Sequence, residues 1–488
     1  MASSSPSQPR YRTYQLHPFG WENDPDVERR PVGLLDYFMP QTYNNYALFF
    51  RFASPSASEG DTAQVVETFK TGFEHLFSQV RHLVGRLERN HDKPGELQYV
   101  RIKGDTVRFD VQHLDSAEAG GKVPSIDELE EKHFGGVLLG DLKIWSIPGM
   151  TYGAHLPAHP SQTPIISAYK LNFIPGGFIL NMHHHHFAND VIGWVGYTTQ
   201  LSRICQAISR RDTPIPSFPE SCLDNSRLNP PSPVSDTPLP PLEYTPRDPT
   251  KKGVSLLFHL PQSKAAALKT LALSQVEQGK WISTFDSLAA LLFRSLVRLS
   301  PSPPDADAVP FYTHAINLRP RLSPPLHGGH QFNCIGCPLS LSPPPGVVQP
   351  RTRDVVEGWS LGRLAGYIRE MTRGVAEVGN GVLEGMLREM GEKGDKGGLS
   401  IRLDELPKGG VVDQGGVVVY PSRGGVKGEE EEGIEFVVFV GGTEEEAVGR
   451  LTGDEEWMRW FEFRGVDGVD LRASLLGMEE RTVVEEWA

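Results

Sequence analysis

Between Thr213 and Thr250 the sequence places 11 prolines in 38 residues. Proline has no backbone N–H and a fixed φ, so this density excludes regular elements and stiffens the chain into extended segments. Periodic sequence resumes on both sides, which marks a crossover linker rather than a tail. A chain of 488 residues is also too long for one core, since single cores stop growing beyond about 250–300 residues. The reading is two domains, residues 1–212 and 251–488, joined by the linker 213–250.

Each half mixes strand and helix patterns. In the first, Tyr46–Phe50 reads as a strand and Thr62–Glu88 as a helix. The apolar positions Val66, Phe69, Phe73, Leu76, Phe77, Val80, Leu83, Val84 and Leu87 keep the three–four spacing of one helix face. Leu97–Ile102 and Val107–Val111 follow as strands joined by a turn at Lys103-Gly104-Asp105. Ile165–Ile174 and Phe178–Met182 form a hairpin around Pro175-Gly176-Gly177. The second strand delivers His183, His184, His185 and His186 to its end, and after Asp190 a helix runs from Trp194 to Arg210. In the second half, Val254–Leu260 and Pro310–Leu318 read as strands. Gln262–Gln278, Arg353–Glu370 and Ala376–Met390 read as helices, as does the run opened by Ser283 or Thr284 as a cap. Gly391–Gly416 receives no element. Val417–Tyr420 and Glu435–Val440 are paired strands around an acidic tip at Glu429–Glu432, and Thr443 with Glu446 makes a capping box.

Composition narrows the function. A net charge of −13 argues against nucleic acid, whose phosphates need a basic surface. No apolar run approaches the roughly 20 residues that span a bilayer, and polar Met1–Gln15 has no signal-peptide core. Four cysteines, Cys205, Cys222, Cys334 and Cys337, are too few for a disulfide framework at this length. The expectation is a soluble cytosolic protein.

The histidine run has three readings. It can be a solvated or partly buried strand end. It can bind metal, although successive strand side chains point to opposite faces, so four adjacent imidazoles cannot converge on one ion. Or it is His-x-x-x-Asp, with His186 as a base and Asp190 orienting it. An imidazole with an ordinary pKa of about 6.5 suits proton removal from an alcohol or amine. Cys334 and Cys337, with His327 and His330, have zinc-type donors crowded into eleven residues; a core cysteine pair beside a glycine loop is the competing account. Arg319 and Arg321, in Asn317-Leu318-Arg319-Pro320-Arg321, are candidates to pair with a carboxylate such as Asp190.

Order distinguishes among these. His185-His186-Phe187-Ala188-Asn189-Asp190 resembles the His-His-x-x-x-Asp motif of the BAHD superfamily of acyl-CoA-dependent acyltransferases. The likeness is to its fungal secondary-metabolite branch, the trichothecene 3-O-acetyltransferase-like proteins. Leu83–Leu87, Ile282-Ser283-Thr284-Phe285-Asp286-Ser287-Leu288-Ala289-Ala290 and Asn317–Pro325 resemble further family segments in the same order, as Val417–Trp460 does more loosely.

The resemblance implies two chloramphenicol-acetyltransferase-like α/β domains, with mixed sheets flanked by helices and a tunnel at their interface. It implies an O-acyltransferase that binds no permanent cofactor. Acyl-CoA, as acetyl-CoA, is its cosubstrate, a small hydroxylated natural product its acceptor, and a monomer its form. His186 would be the general base and Asp190 structural, paired with Arg319 or alternatively Arg321, while Asn317 and His185 support the site. No metal is implied. Two departures stand out: Val191 follows Asp190 where plant members carry Gly, with Gly193 serving the turn. No Asp-Phe-Gly-Trp-Gly segment occurs either; Asp413-Gln414-Gly415-Gly416 is its only trace. The alternatives are a condensation-like enzyme fed by a carrier protein, or a non-catalytic binder using the same tunnel.

Overall fold

The computed structural model describes residues 11–54, 59–92, 96–115, 123–151, 155–228, 253–300, 305–341, 343–378, 416–420 and 431–469. The larger sheet holds β1 (Tyr11–Leu16), β3 (Tyr43–Arg51), β6 (Val107–His113), β7 (Ser167–Ile174) and β8 (Gly177–His185) in the order β1-β6-β7-β8-β3. It is mixed: β6 and β7 are parallel, and the other neighbours antiparallel. The β7–β8 hairpin turns through Pro175 and Gly176, with Ile174 paired to Gly177. Gly176 has φ +80°, and a Cβ on Gly177 would stand 2.2 Å from the Phe50 carbonyl oxygen, so both positions demand glycine.

Helices α1 (Glu59–Gln79) and α5 (Val191–Arg210) cover one face of this sheet. Phe73, Phe77, Tyr197 and Ile204 from the helices share a core with Phe109, Tyr169, Leu171, Leu180 and Met182 from the strands. Each such side chain, fully buried, contributes roughly 1.5–3 kcal/mol relative to exposure. The opposite face carries Ile174 and Ile179, packed with Ile126 and Leu129 of α2 (Ile126–Glu131) and Trp145 of α3 (Leu142–Trp145); α4 (His155–Ala158) follows.

A second sheet, β12 (Val417–Val419), β13 (Gly433–Gly441), β9 (Gly253–Pro261) and β14 (Glu462–Val469), is antiparallel throughout. Its core joins Leu256, Phe258 and Phe436 to residues of α6 (Gln262–Leu273), α7 (Thr284–Arg298), α8 (Leu361–Val378), α9 (Glu444–Thr452) and α10 (Glu455–Trp460). The Ser283–Asp286 capping box starts α7 and the Thr443–Glu446 box starts α9. The remaining strands form a small sheet, β2 (Val27–Pro31), β5 (Leu97–Ile102) and β4 (Arg86–Arg89), and a ribbon of β10 (Ile316–Asn317) with β11 (Ile335–Gly336).

Several expected elements differ. The helix expected to Glu88 ends at Gln79, because Gly85 packs where a Cβ would lie 2.0 Å from the Val100 carbonyl oxygen, and Arg86 pairs with Val100 in a strand. The strands β5 and β6, adjacent in sequence, sit in different sheets. The strand expected over Pro310–Leu318 shrinks to the two residues of β10. Residues 213–228 of the proline-rich run are ordered against the cores: Cys222 and Leu228 are buried, within 3-10 turns at Glu220–Cys222 and Ser226–Leu228. Residues 229–250 of that run, most of the helix expected over Ala376–Met390, and Asp413–Gly415 lie outside the described residues. So do Glu429 and Glu430; the adjoining Glu431 is no idle tip, because its carboxylate accepts from Ser263 N–H (2.6 Å) and Oγ (2.7 Å) at the start of α6.

Candidate active site

β8 carries three of the four histidines inside the sheet rather than beyond it, and strand alternation sends them apart. His184 shares the α1/α5 face with Met182; its Nε2 meets Tyr169 Oη at 2.7 Å, which accepts from Tyr197 Oη at 2.6 Å. His183 and His185 face the other side. His183 Nε2 accepts from Ile147 N–H (3.2 Å). His185 Nδ1 accepts from Phe187 N–H (3.2 Å), which leaves its Nε2 as the donor to the Ala158 carbonyl (2.9 Å). All three are fully buried, and burial pushes them down to about 3, 3 and 4, so they are neutral. The solvated strand end is therefore overturned, and the three rings are committed to separate structural partners. His185, expected to support the site, ties its own strand end to the following turn.

His186 is different because the strand ends there. The chain enters a 3-10 turn, His186–Ala188, and His186, deep in the fold, is only partly buried where its three neighbours are fully so. Its Nδ1 is buried. Burial lowers its pKa, opposed by backbone carbonyls of His186 and Asn189, the Asp190 charge and the Asn333 side chain. A neutral imidazole at neutral pH is what a proton acceptor needs.

Asp190 caps α5, its Oδ1 accepting from Gly193 N–H at 2.8 Å. The same carboxylate takes a two-pronged bond from Arg319, Nη1 to Oδ2 at 2.9 Å and Nη2 to Oδ1 at 3.0 Å, and Cys334 N–H reaches Oδ2 at 2.8 Å. Arg319 is 0% exposed, and all its N–H groups are used: Nε on the His330 carbonyl (2.9 Å), Nη2 also on Phe332 O (2.7 Å) and Nη1 also on Asn317 Oδ1 (3.4 Å). Four donors thus converge on Asp190, from Gly193 in the first half of the chain and from Arg319 and Cys334 in the second. Arg321 turns away, donating to the Asn317 carbonyl at 2.6 Å. Gly193 is required for a close approach: a Cβ there would stand 1.8 Å from Asn189 Oδ1.

The zinc-type donors of the second half scatter. His327 Nδ1 meets Cys222 Sγ (3.1 Å), His330 Nδ1 meets the Ser221 carbonyl (3.3 Å), Cys334 is buried with Leu35, Leu318 and Leu322, and Cys337 is exposed. Sequence reasoning missed Tyr99, Gln331 and Asn333, which touch the turn, and Asp36, which holds Asn333. Tyr99 Oη donates to the Phe187 carbonyl (2.8 Å), and Gln331 accepts from Asn189 Nδ2 (2.9 Å). Asp36 left one readable signal, a lone acid inside the apolar run Leu34–Met39; a buried carboxylate there requires partners.

Comparison with known proteins matches residues 42–205 to the trichothecene 3-O-acetyltransferase-like N-terminal domain. Acetyltransferase FGR3 of Gibberella zeae is 37% identical, over 94% of this chain and 95% of that protein. The crystal structure of Fusarium sporotrichioides TRI101, complexed with coenzyme A and T-2, superposes with a TM-score of 0.63 at 18% identity, covering 90% of this chain and 100% of that one. Vinorine synthase matches 75% of this chain and 76% of its own at a TM-score of 0.50 and 18% identity. At these identities the structural likeness is one of fold, a two-domain α/β fold.

Proposed function

The chain belongs to the trichothecene 3-O-acetyltransferase-like family of fungal BAHD-type acyltransferases, and we propose that His186 is the base of its reaction. The activity is transfer of an acyl group from acyl-CoA to a small natural product. His186 takes the proton from the acceptor hydroxyl; with Nδ1 buried, the accepting atom is Nε2. The alcohol oxygen attacks the thioester carbonyl carbon, the tetrahedral intermediate collapses, the C–S bond breaks, and the imidazolium proton passes to the CoA thiolate. Ester and free CoA are the products. The observation that carries this reading is that, of four adjacent imidazoles, three are spent on buried structural partners and only His186 keeps solvent-accessible surface beside the Asp190–Arg319 junction.

Asp190 and Arg319, with Asn317 behind them, are structural in this scheme. The group transferred is acetyl and the acceptor a hydroxylated secondary metabolite; structures of the similar TRI101 proteins were obtained with T-2 mycotoxin and with deoxynivalenol. The domain division is 1–212 and 251–488, with the two substrates meeting at His186 in a tunnel between them. The protein acts as a cytosolic monomer in this reading. No helix of the described residues is long and apolar enough to cross a membrane.

The test is thiol release from acetyl-CoA with a panel of hydroxylated metabolites that includes trichothecene alcohols. Acceptor-dependent release should appear, and His186→Ala should abolish it. Equal release by the two proteins would remove His186 from the reaction.

A further inference from the structure

The segment His330–Cys334 contacts the His186–Asp190 turn or its partners at every residue. The carbonyls of His330 and Phe332 accept from Arg319; Gln331 Nε2 donates to the Gly193 carbonyl at 3.0 Å, while its Oε1 accepts from Asn189; Cys334 N–H donates to Asp190. At the centre, Asn333 Nδ2 lies 2.9 Å from the carbonyl oxygens of both His186 and Phe187, its two hydrogens shared among these and the Asp36 carboxylate. Asn333 is itself anchored: its N–H and its Nδ2 both reach Asp36 Oδ1, at 3.0 and 2.8 Å, and Gly33 N–H holds Asp36 Oδ2 at 2.8 Å. Asp36 and Asn333 are each 1% exposed.

Phe332 supports the same conclusion from the backbone. Its φ is +71°, a left-handed conformation that a bulky residue adopts only when the surroundings impose it. Here they do: the ring stacks on His82 with centroids 4.3 Å apart, and the Arg30 guanidinium lies 5.2 Å from its centroid. A strained residue held this firmly, one position before Asn333, fixes where the Asn333 amide points.

We propose that Asn333, anchored by Asp36, is the positioning residue for His186. The inference rests on His186 being the base. The His186 N–H donates to the Thr42 carbonyl at 2.8 Å, and Asn333 holds its carbonyl, so the backbone of the residue is gripped on both sides. Only χ1 and χ2 then remain to place the ring. Without Asn333 the His186 carbonyl loses the amide that holds it and the Phe187 carbonyl keeps only Tyr99 Oη, and displacement of a base by about 1 Å costs on the order of 100-fold in rate.

Four single variants of the full chain test this: His186→Ala, Asn333→Ala, Asn333→Ser and Asp36→Asn. Rates are read per folded molecule with the acceptor from the panel above, or as acetyl-CoA hydrolysis where water is the acceptor. Asn333→Ala should lower kcat about 10- to 100-fold while KM for acetyl-CoA stays within about threefold. Asp36→Asn keeps an oxygen for Asn333 but turns an NH2 onto the Gly33 N–H, so it loosens the anchor and should lower kcat in the same sense as Asn333→Ala by a smaller factor, about 2- to 10-fold, with KM for acetyl-CoA again within about threefold. A residue that served stability alone would change the melting temperature and leave the kcat of the folded fraction intact. If Asn333→Ala does not fold, Asn333→Ser, whose hydroxyl can serve at most one carbonyl, decides the matter by the same criterion. Wild-type kcat in a folded Asn333 variant, with His186→Ala inactive, overturns the positioning role alone. Full activity in His186→Ala overturns the base assignment and this inference with it.

Discussion

Breaking the Asp190–Arg319 pair one side at a time, and then together, separates a structural carboxylate from a catalytic one. Arg319→Met leaves Asp190 buried with only the Gly193 and Cys334 N–H groups, and strips a donor from the carbonyls of His330 and Phe332. Removing one partner of a buried pair costs roughly 3–5 kcal/mol, against a total stability of about 5–15 kcal/mol. Asp190→Asn keeps the shape and an oxygen for Gly193 but leaves an uncompensated guanidinium, with a similar cost. The double variant leaves neither charge stranded, so its loss should fall short of the sum of the singles by about 3 kcal/mol. Urea unfolding followed by both fluorescence and circular dichroism measures this, with coincident transitions required before the free energies are compared. Additivity within about 0.5 kcal/mol would refute the pair as an energetic unit. Activity adds a second check. Because four donors converge on Asp190, the folded double variant should keep kcat within about 10-fold of wild type, the lower end of what a missing acid–base group costs being about 100-fold. Inactivity equal to that of His186→Ala would instead put Asp190 in the proton transfer.

Two further outcomes follow from the geometry. His183, His184 and His185, held down to about 3, 3 and 4 by burial, stabilise the fold fully above their ordinary pKa of about 6.5 and lose that contribution as pH falls towards 4; the loss is roughly 2 kcal/mol each by pH 5. Asp36, raised by burial to about 7, works in the opposite sense by roughly 2.5 kcal/mol, so a urea midpoint that does not fall between pH 7.5 and 5 would contradict the buried, neutral state of these rings. Gly193→Ala forces a methyl to within 1.8 Å of Asn189 Oδ1 and 3.3 Å of the Phe332 carbonyl oxygen, and should cost about 1–3 kcal/mol together with a fall in kcat. Gly366→Ala in α8 meets nothing within 4 Å and should be neutral or stabilising by up to about 1 kcal/mol; equal melting temperatures for the two variants would show that the Gly193 approach does not constrain the site.

Elements with one buried face were legible from periodicity, and pairing was not. The β7–β8 hairpin was readable because its turn residues and both strands are contiguous, as were the caps of α7 and α9, whose partners stand only three positions apart. By contrast, β5 and β6 read as neighbours across Lys103-Gly104-Asp105, yet β5 pairs with β2 and β4 while β6 pairs with β1 and β7. Alternation encodes which face is buried and carries nothing about which strand lies alongside. The over-long first helix has a related cause: Leu83 and Leu87 fall on its three–four spacing, but they are buried from a 3-10 turn and from β4. A coincidence of spacing cannot reveal that the Val100 backbone occupies the space a residue larger than Gly85 would need.

The site shows the same division between local and distant information. His186 and Asp190 are four residues apart and visible together, and spacing alone suggests a base with its orienting acid. Their separation in role comes from Arg319, 129 positions beyond Asp190, and from the His330–Cys334 segment that the second half brings to the turn. A carboxylate free to turn to the imidazole would be a partner in proton transfer; one saturated by Arg319, Gly193 and Cys334 is a fastener between halves. The choice of His186 as the proposed base likewise rests on topology. Four consecutive imidazoles are chemically alike, but β8 buries three of them on alternating faces, and the strand ends one residue too early to bury the fourth. Lengthening β8 through His186 would give that ring the same fate as its neighbours, so the 3-10 turn held by Asn333 and Tyr99 is what leaves one histidine available for chemistry.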